Sequence, residues 1–242
     1  MNDELFVNGK RVDGRGLEDL RPLEVKVGVL NNATGSAYIH WGNNKIVAGV
    51  YGPRECLPRH TAHPYKAVIK CKYSMSPFCS KEEHGRAGPS RRSTEISKVI
   101  KEVFENVILA EKFPKTQIDI FVDVLQADGG TRVASITAAA LALADAGIPM
   151  KEMVSAVAVG KIANNIAIDL GKEEDNSGQS DVPVAMSSVN KDILLLQMDG
   201  LLTADEISKS MEMVEKSCGK IYELQKKAIE EKYSKSKEIF RM

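Results

Sequence analysis

The sequence predicts an α+β fold in which mixed sheets pack with helices. Three observations carry this. Apolar residues alternate at period two through most of the first half, the period lengthens to that of a helix from Arg92, and a second group of strands ends in one long amphipathic helix. The 242 residues suffice for one large or two small domains, and no low-complexity linker divides them. One domain over 1–242 is therefore expected, with halves of about 1–148 and 149–242. Each half places strands before a helix, which suggests a pseudo-duplicated core, although the halves are not visibly alike in sequence.

The elements follow in order. LEVKVGVL (23–30) alternates as a half-buried strand does, and GSAYIHWG (35–42) and NKIVAGVYGP (44–53) come next, with Asn43-Asn44 as the hairpin turn between them. AVIKCKYSM (67–75) alternates again. From Arg92 to Leu109, Ile96, Val99, Ile100, Val103, Phe104 and Val107 form one helical stripe. TQIDIFVDVLQ (116–126) is a strand with Ile118, Ile120, Val122 and Val124 on one face. RVASITAAALALADAGIP (132–149) is a helix with small residues nearly all round, as close burial against a sheet requires, and Gly147 and Pro149 stop it. VSAVAVG (154–160), NNIAIDL (164–170), VPVAMSS (182–188) and DILLLQMDG (192–200) are strands, the last two flanking a turn at Asn190. Thr203 and Glu206 make a capping box for a final helix whose inner stripe is Ile207, Met211, Val214, Cys218 and Ile221.

Composition excludes several classes. Formal net charge is zero, so bulk charge predicts no polyanion partner, and sparse aromatics argue against a lectin-like or base-stacking surface. Cys56, Cys71, Cys79 and Cys218 form no CxxC pair. Ligation of a metal by the first three with His60 or His63 is the weaker reading, and free thiols in a reducing compartment the stronger. The start, MNDELFVNGKRVDGRG, is charged and lacks the apolar core of a signal peptide, and no apolar run is long enough to span a bilayer. A soluble, cytoplasmic protein without a membrane partner is expected.

Four stretches offer chemistry. In ADGGTRVAS (127–135) a glycine pair precedes a helix. Backbone N–H groups there approach an oxyanion, Thr131 and Ser135 add hydroxyls, and Arg132 adds a guanidinium fork. Both GxxxxGK[ST] and GxGxxG are missing, so this is no standard nucleotide loop. The same letters also describe a strand-end turn with a surface arginine. In GRAGPSRRSTEIS (85–97), Arg91 and Arg92 stand at a helix entrance, where cations are mildly unfavourable unless an anion sits beside them. From Arg54 to Arg92 nine Lys or Arg, Arg59 among them, face three acids, a surplus that suits an RNA track or an ordinary solvated strand surface. In KEEDNSGQSDVP (172–183), Asp175 and Asp181 flank a glycine-containing turn. Two carboxylates brought together become hungry for a proton or a metal, although a polar loop reads the same way.

Together these stretches supply the parts for phosphoryl chemistry on a nucleic acid, and at this point a family resemblance becomes visible. RVDGRGLEDLRP, GSAYIHWGNNKIVAGVYGP, RRSTEIS, QADGGTR, LALADAGIPM and the EED…SDVPVAM loop resemble the motifs of the RNase PH family, in family order and over nearly the whole chain. Asp181-Val182-Pro183 is similar to the DMP of the exosome-type branch, with Val for Met at 182, whereas RNase PH itself usually has DMN. The resemblance implies an RNase PH-like fold and reversible 3′→5′ phosphorolysis, in which inorganic phosphate releases nucleoside diphosphates from RNA 3′ ends. By the same resemblance Gly130, Thr131, Arg132 and Ser135 are phosphate-binding, and Arg92 and Arg91 hold phosphate and the RNA 3′ end. Arg59 falls where RNA-backbone contacts occur. Asp175 and Asp181 are the catalytic pair and the ligands of Mg2+ or Mn2+. The implied partners are a single-stranded RNA 3′ end, an inactive paralogue completing a six-membered ring as a trimer of heterodimers, and RNA-binding cap proteins. Two other readings remain at this point: an inactive RNA-binding ring scaffold, and a homohexameric RNase PH acting on transfer RNA.

Overall fold

In the computed structural model, which describes residues 6–7, 10–80 and 90–239, two sheets enclose a layer of helices. A short hairpin of β1 (Phe6–Val7) and β2 (Lys10–Arg11) comes first. The first sheet is built from β3 (Leu23–Val27), β4 (Gly35–Trp41), β5 (Asn44–Glu55), β6 (Val68–Met75) and β7 (Thr116–Gln126), in the spatial order β3-β4-β5-β7-β6. Only β6 joins its neighbour in parallel, and α1 (Arg91–Val107) lies in the crossover that such a pair needs. The second sheet comprises β8 (Val154–Ile162), β9 (Asn165–Ile168), β10 (Ser180–Ser187), β11 (Ile193–Leu196) and β12 (Asp199–Gly200), all antiparallel, in the order β11-β10-β8-β9 with β12 also on β10.

Helix α2 (Thr131–Asp145) touches β4, β5 and β7 of the first sheet and β8 and β10 of the second. Helix α1 reaches β6 and β11, and α4 (Ala204–Ile239) reaches β3 as well as β8, β9 and β10. The apolar faces therefore meet in one continuous core that includes both halves of the chain. The predicted faces account for it: Ile118, Ile120, Val122 and Val124 are fully buried, as are the six stripe residues of α1 to within a few per cent. Every residue of α2 is buried except Arg132 and Ala144, so small side chains are what a helix between two sheets demands.

The closeness of that packing is measurable at Gly35. A Cβ there would sit 2.1 Å from the backbone nitrogen of Ala146 and 2.4 Å from the carbonyl oxygen of Ala142, at the end of α2. Gly35→Ala is expected to cost about 1–3 kcal/mol, as overpacking of a dense core does. Urea unfolding read by far-ultraviolet dichroism measures this, and an unchanged midpoint would contradict the close approach.

Three sequence expectations need correction. The hairpin turn is Gly42-Asn43, not Asn43-Asn44, because Trp41 pairs with Asn44 across the hairpin. Gly42 accommodates the positive φ of +58° that the turn requires, and Asn44 is fully buried. Residues 172–177, read as part of a loop, form a short helix, α3 (Lys172–Ser177). Its Glu174 carboxylate reaches back to accept the Gly171 N–H at 2.8 Å. In α4, Ile207 is 38% exposed, since burial begins a turn later at Ser210. The inner side of α4 is also partly polar. Gln225 is fully buried and is bonded to the Ser155 hydroxyl at 2.8 Å and to the Val154 carbonyl at 3.0 Å.

Candidate active site

A cleft of about 400 Å³ opens where the N-termini of α1 and α2 meet α3 and the edge of the second sheet. Arg92, Gly130, Thr131, Arg132, Asp175 and Asp181 all line it, so six of the nine predicted site residues share one cavity. Ser135 lies a turn below Thr131, fully buried. Arg91 and Arg59 are exposed and stand outside the lining. Successive helix residues point about 100° apart, so Arg91 and Arg92 face different directions. Arg59 lies in a 3₁₀ turn (Arg59–Thr61) and pairs with Glu55 at 2.6 Å. The basic segment disperses similarly: Arg54 pairs with Asp119, and Lys70 bonds the Leu57 carbonyl and Gln117. Lys81, Glu82, Glu83 and Arg86 of that segment, with residues 85–89 of the second motif, lie outside the described residues.

The floor of the cleft is the start of α2. Gly129 and Gly130 adopt φ of +75° and +68°, which explains the glycine pair, and Gly130 is the N-cap without any side-chain cap. The first intrahelical bond runs from the Ala134 N–H to the Gly130 carbonyl. The N–H groups before it have no intrahelical acceptor, and they meet the positive end of the helix dipole. The Thr131 hydroxyl accepts a hydrogen bond from the Tyr73 phenol at 3.1 Å, which frees its own hydrogen for donation. Arg132 donates to the Gln197 side-chain oxygen at 2.5 Å and to Glu95 at 3.2 Å. Among the described residues two groups are buried without a hydrogen-bond partner: Arg132 Nε and Ser135 Oγ. Native interiors seldom leave such groups unmet.

Opposite this floor stand the carboxylates. Asp175 sits on α3, held by the Asp175 N–H to Gly171 carbonyl bond. Asp181 sits on β10, in register with Gly160 on one side and Asp199 on the other. Burial pushes Asp181 up to about 6, helped by the negative charges of Asp175 and Asp199 and opposed by Arg132 and Arg92. Burial likewise raises Asp175, against the pull of Arg92 and Arg132. Among the described residues no group of three or more His, Cys, Asp or Glu is arranged to hold a metal. Two hard oxygen donors suit a magnesium or manganese ion that keeps waters and shares phosphate oxygens, and do not suit an all-protein cage. The cysteines are free, and burial pushes the Cys71 and Cys218 thiols up to about 12. Those two are therefore protonated thiols at neutral pH.

Four lining or supporting residues escaped the sequence reading. Glu95 lies one turn beyond Arg92 within RRSTEIS, so its position on the cleft side was available from helical spacing. Tyr73 comes from the alternation of β6, which puts it inward but gives no sign of its partner. Gln197 and Asp199 reach the cleft only through the pairing of β11 and β12 with β10, which no local signal reveals.

The chain belongs to the 3′ exoribonuclease family, whose domain 1 matches residues 19–149 and domain 2 residues 152–217. The exosome complex component Rrp41 of Pyrococcus abyssi is 56% identical to it over 228 residues, which is 94% of this chain and 91% of that protein. The component of the same name in Thermococcus onnurineus is 55% identical over the same shares. Among solved structures, rice Rrp46 superposes with a TM-score of 0.80 at 22% identity, covering 89% of this chain and 98% of that one. A chain of the Archaeoglobus fulgidus exosome with RNA bound to the active site superposes with a TM-score of 0.77 at 23% identity, covering 89% and 92%. These two likenesses agree with the α+β, RNase PH-like fold.

Proposed function

We propose that the chain is a phosphate-dependent 3′→5′ exoribonuclease that works as a catalytic subunit of an exosome ring. One arrangement carries this reading: the start of α2, with the unpartnered Arg132 Nε, faces two proton-hungry carboxylates across a single cleft. An oxygen of inorganic phosphate attacks the phosphorus of the last phosphodiester. The bond from that phosphorus to the 3′ oxygen of the preceding nucleotide breaks. The terminal nucleotide leaves as a nucleoside diphosphate, and the shortened RNA regains a 3′ hydroxyl when that oxygen takes a proton. The reverse reaction adds tails from nucleoside diphosphates.

Each residue has a task in this scheme. The first amides of α2, the Thr131 hydroxyl, Arg132 and Arg92 hold the attacking phosphate, with the Ser135 hydroxyl buried a turn behind them, because one anion approaching another needs its charge offset. Arg92 also reaches the RNA 3′ end, with Arg91 and Arg59 on the outer path of the strand. One of the two aspartates donates the proton to the leaving oxygen. Asp175 and Asp181 would hold a magnesium or manganese ion, which when bound supplies positive charge at that oxygen. The cytoplasm is the compartment this reading implies, in keeping with four free cysteines. The relatives' names support a place in an exosome complex, for which this reading implies a ring with a paralogous subunit under RNA-binding cap proteins, and the core shared by both halves supports one folding unit over 1–242.

The deciding assay mixes the protein, alone and with its paralogue, with single-stranded RNA, magnesium and phosphate. Nucleoside diphosphates that appear only with phosphate are the expected product. Nucleoside monophosphates without phosphate would mean hydrolysis instead, and no product even with the paralogue would leave an RNA-binding scaffold. A finer expectation concerns Tyr73→Phe, which removes the donor that orients the Thr131 hydroxyl. The loss of about 1 kcal/mol for one hydrogen bond should raise the KM for phosphate roughly fivefold and leave RNA affinity alone. Equal loss in both would place Tyr73 outside the phosphate step.

A further inference from the structure

Behind the cleft lies a buried ionic cluster that the reaction scheme leaves unused. Arg11, Arg15 and Arg21 come from the segment before β3, and they converge on Glu174 and Asp169 from the second half of the chain. The Asp169 side chain is 1% exposed, and that of Arg21 is 7% exposed. Asp169 accepts from the Arg21 backbone N–H at 2.7 Å, from the Arg21 guanidinium at 2.7–3.1 Å and from the Trp41 indole at 2.9 Å. The same guanidinium then bonds the carbonyl of Asp128 at 2.6 Å and that of Gly129 at 3.3 Å. Arg11 works on the other branch, bonding the carbonyls of Ile168 and Asp169 and both oxygens of Glu174, the residue before Asp175.

We propose that Arg21, gripped by Asp169, is a positioning residue for the attacking phosphate. This inference rests on the phosphorolytic reading of the cleft. A peptide unit is planar and trans, so its N–H points opposite to its C=O. Holding the carbonyls of Asp128 and Gly129 from behind therefore fixes the direction of the Gly129 and Gly130 N–H groups. They are turned away from Arg21, and Gly130 itself lines the cleft. Asn44 reinforces the grip by donating to the Gly129 carbonyl at 2.7 Å and accepting the Asp128 N–H at 2.6 Å. The glycine loop also packs on the start of α3, where a Cβ on Gly129 would lie 2.6 Å from the backbone of Gly171 and Lys172. One cluster thus aims the anion floor through Arg21 and steadies the carboxylate helix through Arg11.

The two branches make separable demands. Arg21→Lys keeps the charge but cannot bond Asp169 and two carbonyls at once. The KM for phosphate, and the dissociation constant for inorganic phosphate measured by calorimetry on the full chain, should both rise at least about tenfold with RNA affinity unchanged. Arg11→Lys should lower kcat and leave phosphate affinity as it is. Asp169→Asn is the second variant for the Arg21 branch, should Arg21→Lys fail to fold, and it should show the same phosphate defect. A purely structural cluster would instead lower kcat and Tm together in all three variants without moving the KM for phosphate, and that result overturns the proposal. Phosphate binding that is weakened by Arg21→Lys in a protein that makes no nucleoside diphosphate would keep the positioning role and sink phosphorolysis. Nucleoside diphosphate release with an unchanged KM for phosphate in Arg21→Lys would do the reverse. A wild-type chain that neither binds phosphate nor releases nucleoside diphosphates would overturn both.

Discussion

Asp181→Asn is expected to lower turnover by a factor of about 10²–10⁴ and, at the same time, to make the folded protein more stable at pH 8. The first effect follows from removing a group that can donate a proton or bind a metal at the leaving oxygen, and Asp181→Ala should share it while RNA binding stays largely intact. The second follows from the environment of the carboxyl, which burial and neighbouring acids push from 3.8 up to about 6. A carboxyl with a raised folded-state value contributes its full stability below about pH 4, and the contribution is lost as pH rises through about 6. The wild-type protein therefore carries a cost on the order of 2 kcal/mol at pH 8 that the amide variant lacks. The Tm of the variant should exceed that of the wild type by about 5 °C at pH 8 and match it near pH 4. A variant that loses Tm at pH 8 would show that the carboxylate is not strained in its site. If Asp181 is the proton donor, its protonated fraction grows as pH falls from 8 to 6. The pH profile of the wild type should then fall on the alkaline side, while Asp181→Asn loses that limb.

Arg132→Lys is expected to reduce kcat/KM for phosphate by about 10²–10³, with a much smaller change in RNA affinity. Lysine preserves the charge, so the loss isolates the fork geometry. In the folded protein that fork already spans Gln197 and Glu95, and its Nε is buried without a partner among the described residues. An ammonium group offers no planar pair of donors at those angles. Phosphate titrations under single-turnover conditions, alongside fluorescence anisotropy with labelled RNA, separate the two quantities. Parallel losses in both would reassign Arg132 from the phosphate to the RNA.

Much of the scaffold was legible because its elements obey simple periods. β7 keeps Ile118, Ile120, Val122 and Val124 on one buried face, and α1 shows a complete stripe. The small residues of α2 announced its confinement, and Gly130, Thr131 and Arg132, before and within its first turn, were singled out and do line one cleft. The failures have physical reasons as well. α3 is six residues long and buries only Glu174, through an ion pair with Arg11 from more than a hundred positions away, so no apolar period could reveal it. Gly42 outcompeted Asn43-Asn44 as the turn because Asn44 was drawn inward by bonds to Asp128 and Gly129. Asp199 and Gln197 became cleft residues through strand register alone. Distant pairing, and not local propensity, completed the site.

Helix α2 is walled in on nearly every side, and its N-terminal turn is the floor of the cleft. A helix wedged between two sheets has no hinge available to it. Its interior amides should be among the last in the protein to exchange with deuterium, opening only when the whole core opens. The field felt by a bound anion is then set when the chain folds, not when the ligand arrives. Phosphate should enter with little change in the floor, and adaptation to different RNA ends falls to the exposed rim at the start of α1, where Arg91 and Arg92 stand.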